Sequence, residues 1–150
     1  MMFSLLLVGA LVLLREGMNL TEAEAVRLEQ SLERSPNDHD ARVRLLAYWT
    51  TRPETADAAA VKAARARHIT WMVQRWPQDE LFGSGSRMAR IHLKGRWADP
   101  EAFAEIKKIW MARSKVDRIA SSFAAEWLEL GDPQEAASLY ESLGDRKSVV

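Results

Sequence analysis

Five prolines punctuate this 150-residue chain, and they stand at the ends of its stretches of regular apolar spacing. Pro36, Pro53 and Pro77 close such stretches, while Pro100 and Pro133 open them. Proline lacks the amide proton that a helix interior needs, and it drives the residue before it out of the helical region, so each position marks a boundary. Between boundaries no run alternates apolar and polar residues with period two, whereas apolar residues recur three and four apart. The pattern predicts an all-α chain.

The helices can be placed one by one. Thr21-Glu22-Ala23-Glu24 has the form of a capping box and opens a helix to about Arg34, with Ala25, Leu28 and Leu32 on one stripe. Asp38 or Asp40 suits the N-cap of a second helix carrying Ala41, Leu45, Leu46 and Trp49. The third runs from about 55 to 76 with Val61, Ile69, Met72, Val73 and Trp76 on its stripe. After Gly83-Ser84-Gly85-Ser86 a short helix is expected to about Lys94, then another with Phe103, Ile106, Ile109 and Trp110. Residues 116–130 give the cleanest face, Val116, Ile119, Ala120, Phe123, Ala124, Trp127 and Leu128. Gly131-Asp132-Pro133 then turns into a last helix holding Ala136, Ala137, Leu139, Tyr140 and Leu143.

Short connections make successive helices antiparallel neighbours. Residues 40–50 and 55–76 form one expected hairpin, 86–95 and 100–113 a second, and 117–130 and 133–144 a third. Residues 21–35 are then the second half of an incomplete hairpin at the front. Hairpin starts fall roughly 31 to 46 residues apart, the range of helical repeats. The run QRWPQD at 74–79 echoes RSPND at 34–38, with Arg75 and Asp79 forty-one positions after Arg34 and Asp38. Both are expected to be the same corner, used twice.

The segment AAEWLELGDPQEAASLYESL resembles a tetratricopeptide repeat: Ala124, Trp127, Gly131, Ala136 and Tyr140 fall at its small, aromatic, glycine, alanine and aromatic positions. Small residues let paired helices approach, glycine closes the turn, and aromatics wedge between units. Pro36 and Pro77 are similar to the proline that closes a unit, whereas Arg65 stands where the repeat has alanine. The resemblance implies a short α-solenoid of stacked antiparallel hairpins that binds an extended peptide in a concave groove. It implies that Arg118, Ser121, Ala125 and Glu129 face that groove. A plain helical bundle is the alternative.

Composition is globular, 47% apolar and 28% charged, and 150 residues suit one core that buries roughly 70% of the unfolded surface. Basic and acidic residues balance at 21 each, yet residues 62–118 hold 13 basic against 6 acidic. The flanks are acidic, with 6 basic against 9 acidic in 1–61 and 2 against 6 in 119–150. Such a centre is either a set of solvated helix faces or a surface for an anionic partner. The absence of cysteine removes disulfides, zinc thiolates and thiol nucleophiles. Met1 to Leu14 is an apolar run shorter than the ~20 residues of a bilayer span. It fits an export signal or short anchor, a buried first helix, or an upstream extension with Met18 as the true start. On the first reading the chain is exported or envelope-associated, and on the others cytoplasmic. Residues 1–17 are therefore set apart from a helical-repeat domain at 18–150.

Chemistry is sparsely signalled. His39, His68 and His92 are far apart and lack metal-ligand spacing, so His68 is expected to pack beside its stripe with one hydrogen bond. Gly83-Ser84-Gly85-Ser86 has no preceding strand and no following Gly-Lys, so Ser86 reads as an N-cap rather than part of a phosphate loop. Glu22 and Glu24 suit a helix start rather than acid-base work. Six tryptophans are either a stacking platform or fillers between helix layers, and their place on apolar stripes favours the second.

Arg87, Arg90 and Lys94 step by three and four along one side of a helix, and guanidinium forks suit carboxylates. The expectation is a non-catalytic scaffold without cofactor or metal, holding an acidic peptide or protein partner through Arg87, Arg90, Lys94, Arg118, Ser121 and Glu129. Nucleic-acid binding through the basic centre, or an accessory role beside an envelope enzyme, are the alternatives. Asp145 to Val150 resembles the entry to a further helix, which leaves an exposed apolar face near Leu139 and Leu143 and favours self-association.

Overall fold

The computed structural model describes residues 2–52, 58–82, 100–114, 118–129 and 132–148. Among these the regular elements are all helical: α1 Met2–Met18, α2 Glu22–Arg34, α3 His39–Thr51, α4 Ala58–Arg75, α5 Pro100–Ser114, α6 Arg118–Glu129 and α7 Pro133–Ser148, with a 3-10 turn at Glu80–Phe82. The expected short helix at 86–95 lies outside the described residues. No described helix is long and apolar enough to cross a membrane. The chain divides into two compact units, Met1–Met72 and Val73–Val150.

In the first unit α3 is the central element, with Ala41, Val43, Leu45, Leu46, Ala47 and Tyr48 all buried. A helix apolar on most sides must be covered on most sides. One cover is α2, started by the expected capping box: the Thr21 hydroxyl accepts from the Glu24 amide at 3.2 Å, and Glu24 Oε2 accepts from the Thr21 amide at 3.1 Å. Its stripe packs Ala25 and Leu32 into a core with Ala41, Leu45 and Tyr48. Asp38, rather than Asp40, caps α3 by accepting from the Ala41 amide at 3.1 Å.

The other cover is α1, which precedes α2 in the chain and packs on α3. A Cβ on Gly17 would lie 2.2 Å from the Arg44 carbonyl oxygen and 2.8 Å from the Ala47 Cβ, so only glycine permits this approach. Glu16 accepts from Arg44 Nε at 2.7 Å beside it. Sequence adjacency pairs α3 with α4, yet the backbone of α3 packs most extensively on α1 and then on α2. The reason is steric. Gly17 and Ala47 put almost nothing between α1 and α3, whereas Arg42, Arg65, His68 and Trp71 fill the space between α3 and α4.

In the second unit α6 packs closely on α7 and on α5. Trp110 of α5 is fully buried and meets the Phe82 ring edge-on, with centroids 4.9 Å apart. Asp132 caps α7: Oδ1 accepts from the Glu135 amide at 3.2 Å, and Oδ2 accepts from Lys107 Nζ of α5 at 2.8 Å. Lys107 also pairs with Glu135. Hydrogen bonds that Lys107 donates to these carboxylates raise its pKa, and the same bond lowers that of Asp132. The last helix was expected to stop near 144 with a new one entering at Asp145, but α7 continues through Gly144 to Ser148. Leu143 is buried and Leu139 half-buried, so the apolar face expected to be exposed there is turned partly inward.

The two echoing corners have the same geometry. The Asp38 amide donates to the Ser35 carbonyl at 3.1 Å, and the Asp79 amide to the Trp76 carbonyl at 3.0 Å. Each turn thus carries proline at its second position and aspartate at its fourth. Each aspartate side chain then caps the next helical turn, accepting from the Ala41 amide in one case and the Leu81 amide in the other.

Candidate functional site

The most elaborate polar arrangement among the described residues lies in the first unit, where α2, α3 and α4 meet around Glu29. Helical spacing puts Glu29 four residues after Ala25 and three before Leu32, on the face α2 turns inward. On α4, Val61, Arg65, His68 and Met72 follow the same spacing, and all four are buried. Two charged or titratable side chains thus occupy an apolar stripe and must find partners.

Glu29 Oε1 is the hub. It accepts from Trp49 Nε1 at 2.9 Å, from Arg67 Nη2 at 3.0 Å and from His68 Nε2 at 2.8 Å. On the far side of the ring, Arg42 Nη1 lies 3.2 Å from His68 Nδ1. Arginine has no acceptor, so Nδ1 must be unprotonated and Nε2 must carry the hydrogen that goes to Glu29. His68 is therefore the neutral tautomer. Arg42 is held in turn: Nε and Nη2 donate to the Pro36 carbonyl at 3.3 and 3.2 Å, and its guanidinium stacks 4.3 Å from the Trp71 ring centroid.

The electrostatics follow from burial and contacts. Burial alone would raise the Glu29 pKa, but the bond from His68, the charge that ring takes up in acid, the bond from Trp49 and the Arg67 charge outweigh it and hold the carboxyl at about 2. Burial pushes the His68 pKa down against the opposing pull of Glu29, with Arg67 and Arg42 pushing the same way as burial. Burial also lowers that of Arg42.

A carboxylate beside an imidazole suggests a general-base pair, but here the lone pair a base would use already accepts from Arg42, and the ring is 0% exposed. As built, the arrangement binds helices together rather than presenting a reactive group. His68 was expected to pack with one hydrogen bond; it packs with two.

The residues singled out for partner binding are not brought together among the described residues. Arg87, Arg90 and Lys94 lie outside those residues, as does Gly131. Glu129 and Trp127 belong to α6, but their side chains are likewise outside the description. Arg118 is exposed and donates to the Leu143 carbonyl at 3.4 Å. Ser121, expected to face a groove, is only 3% exposed. It lies on the face of α6 that carries the buried Ala124, Ala125 and Leu128, which draws it inward. Of the repeat-packing positions, Ala124 and Ala136 are buried and Tyr140 reaches the surface at 36% exposure.

The tryptophans that the structure describes in detail act inside their own units. Trp49 bonds Glu29 and lies edge-on to Tyr48, Trp71 sits under Arg42, and Trp110 meets Phe82. His39 pairs with Asp40 at the surface, and His92 lies outside the described residues. Among the described residues no three His, Asp or Glu side chains gather as a metal site. An open cleft of about 410 Å³ in the second unit is lined by Gln74, Arg75, Ile109 and Ala112.

Glu29, Arg42 and Arg67 were missed as a group by sequence reasoning, although the spacing of Glu29 between Ala25 and Leu32 already carried a signal. Comparison of the chain with family models, with curated proteins and with solved structures returned no match in any of the three.

Proposed function

We propose that the chain is a protein-interaction scaffold of the tetratricopeptide type, a short stack of helical hairpins that holds an acidic segment of a partner protein. The observation that carries this reading is the α6–α7 hairpin, where Ala124 and Ala136 are buried at the positions that the repeat keeps small. Two further features support it. The front of the chain supplies a helix ahead of α2, so that four helices, α1 to α4, follow one another in sequence. The basic centre at 62–118 contains Arg87, Arg90 and Lys94, whose spacing suits a carboxylate-bearing strand of partner.

The role is binding rather than catalysis, and it needs no cofactor. The test is affinity capture with the intact chain against an Arg87→Glu, Arg90→Glu, Lys94→Glu variant whose helical content is unchanged by circular dichroism. A partner held by the first and lost by the second supports the reading. Equal capture by both removes the basic stripe from the binding face, and capture of nucleic acid alone, with affinity falling steeply with salt, replaces the reading with a phosphate-binding one.

A further inference from the structure

We propose that the first unit carries an acid-sensitive interlock, in which the neutral His68 ring bolts α4 to α2 and α3 and its protonation opens the seam between α3 and α4. This is independent of any partner, and it rests on the geometry of one ring.

The groups that face His68 come from three helices. From α2, Glu29 Oε1 accepts from Nε2; from α3, Arg42 Nη1 donates to Nδ1; and on α4 itself Arg67 bonds the same Glu29 oxygen. The ring is fully buried, so it has no water to turn to. A proton on Nδ1 would set an N-H against the N-H of Arg42 at a separation of 3.2 Å and add a second positive charge beside the guanidinium. Glu29 cannot neutralise both, because its single charge already serves Arg67 and its Oε1 already accepts from Trp49 and Arg67.

One side of the ring must therefore let go, and the two sides differ. The imidazolium gains by staying on the carboxylate, so the contact that breaks is the one to Arg42. Arg42 cannot leave alone. It holds the Pro36 carbonyl with two N-H groups and stacks on Trp71 of α4, so its departure unties the corner before α3 and uncovers Trp71. Glu29 of α2 and Arg42 of α3 face the ring, but α2 is also joined to α3 by an apolar core and α1 to α3 by close backbone packing, so their association does not depend on it. Opening is thus confined to α4, as a local unfolding event of a low-stability element.

Hydrogen exchange with mass spectrometry on the whole chain at pH 7 and pH 5, corrected for the intrinsic pH dependence of exchange, tests this. Glu29 stays ionised across that window, so its own titration does not produce the signal. The expected result is exchange at 61–72 faster by about tenfold at the lower pH, with 22–34 and 39–51 changed far less. His68→Gln, whose amide offers a donor and an acceptor without titrating, is expected to remove the acceleration. Arg42→Gln, which leaves His68 facing Glu29 alone, is expected to diminish it. The proposal is overturned if 61–72 does not respond in the wild type, if all helices respond together, or if His68→Gln folds and keeps the acceleration. Should His68→Gln fail to fold, an undiminished response in Arg42→Gln overturns it equally.

Discussion

Arg42 and His68 are twenty-six residues apart and meet through one hydrogen bond of 3.2 Å in which arginine can only donate. That single constraint sets the protonation of a buried ring, and through the ring the state of Glu29. Most of the expected behaviour of the first unit derives from it.

Removing the hub should cost more than removing a typical surface charge. Glu29→Ala leaves the His68 and Trp49 N-H groups without their acceptor, one of them fully buried. The expected loss is about 2 to 3 kcal/mol, measured by urea unfolding followed through tryptophan fluorescence. A loss under about 0.5 kcal/mol, the scale of an exposed ion pair, would show that the network contributes nothing beyond surface charge.

Acid should weaken the first unit in two steps. The folded pKa of His68 lies below its ordinary 6.5, so the unfolded chain takes up that proton first and stability falls as pH drops through 6.5. Glu29, at about 2 when folded against 4.5 ordinarily, contributes fully above 4.5 and loses its contribution as pH falls from there toward 2. Urea midpoints measured against pH should show both steps. His68→Gln should lack the first, and Glu29→Gln the second.

Two glycines inside helices should respond in opposite directions to alanine. At Gly144 a Cβ meets nothing within 4 Å, so alanine should stabilise α7 by about 0.5 to 1 kcal/mol through helix propensity. At Gly17 the same methyl group meets the Arg44 carbonyl and Ala47, so alanine should destabilise by about 1 to 3 kcal/mol despite that propensity. Thermal unfolding of both variants decides the matter. Stabilisation at Gly17 would mean that α1 does not rest on α3 through this glycine.

In the second unit Asp132→Ala should cost about 1 kcal/mol, mainly as a lost N-cap. Lys107→Met should cost less, because Lys107 and Asp132 are both partly exposed and water screens their pairing. Guanidinium titrations of the two variants should rank them in that order.

The helices were legible because their signals are local. Proline positions, the Thr21 capping box and the Asp38 cap all act within four residues, and the structure reproduces them within a turn. The repeated corner was legible for the same reason, since Pro36 with Asp38 and Pro77 with Asp79 define one turn chemistry. The pairing of helices was not legible. Nothing local says that Gly17 faces Ala47, or that Glu29 reaches across to His68 thirty-nine residues later.

His68 was read as packing beside its stripe, when burial draws it into the core together with Arg42 and Arg65. Ser121 shows the opposite error. A position assigned to a groove by resemblance was claimed by the packing of α6 within its own unit.

The most direct test of the network is the tautomer of His68, read from the ring nitrogen shifts of the 15N-labelled chain by long-range proton-nitrogen correlation at pH 7.5. A neutral ring with the hydrogen on Nε2 and a bare Nδ1 is the result expected from the Glu29 and Arg42 contacts. An imidazolium, or a ring with its hydrogen on Nδ1, would contradict those contacts and with them the interlock.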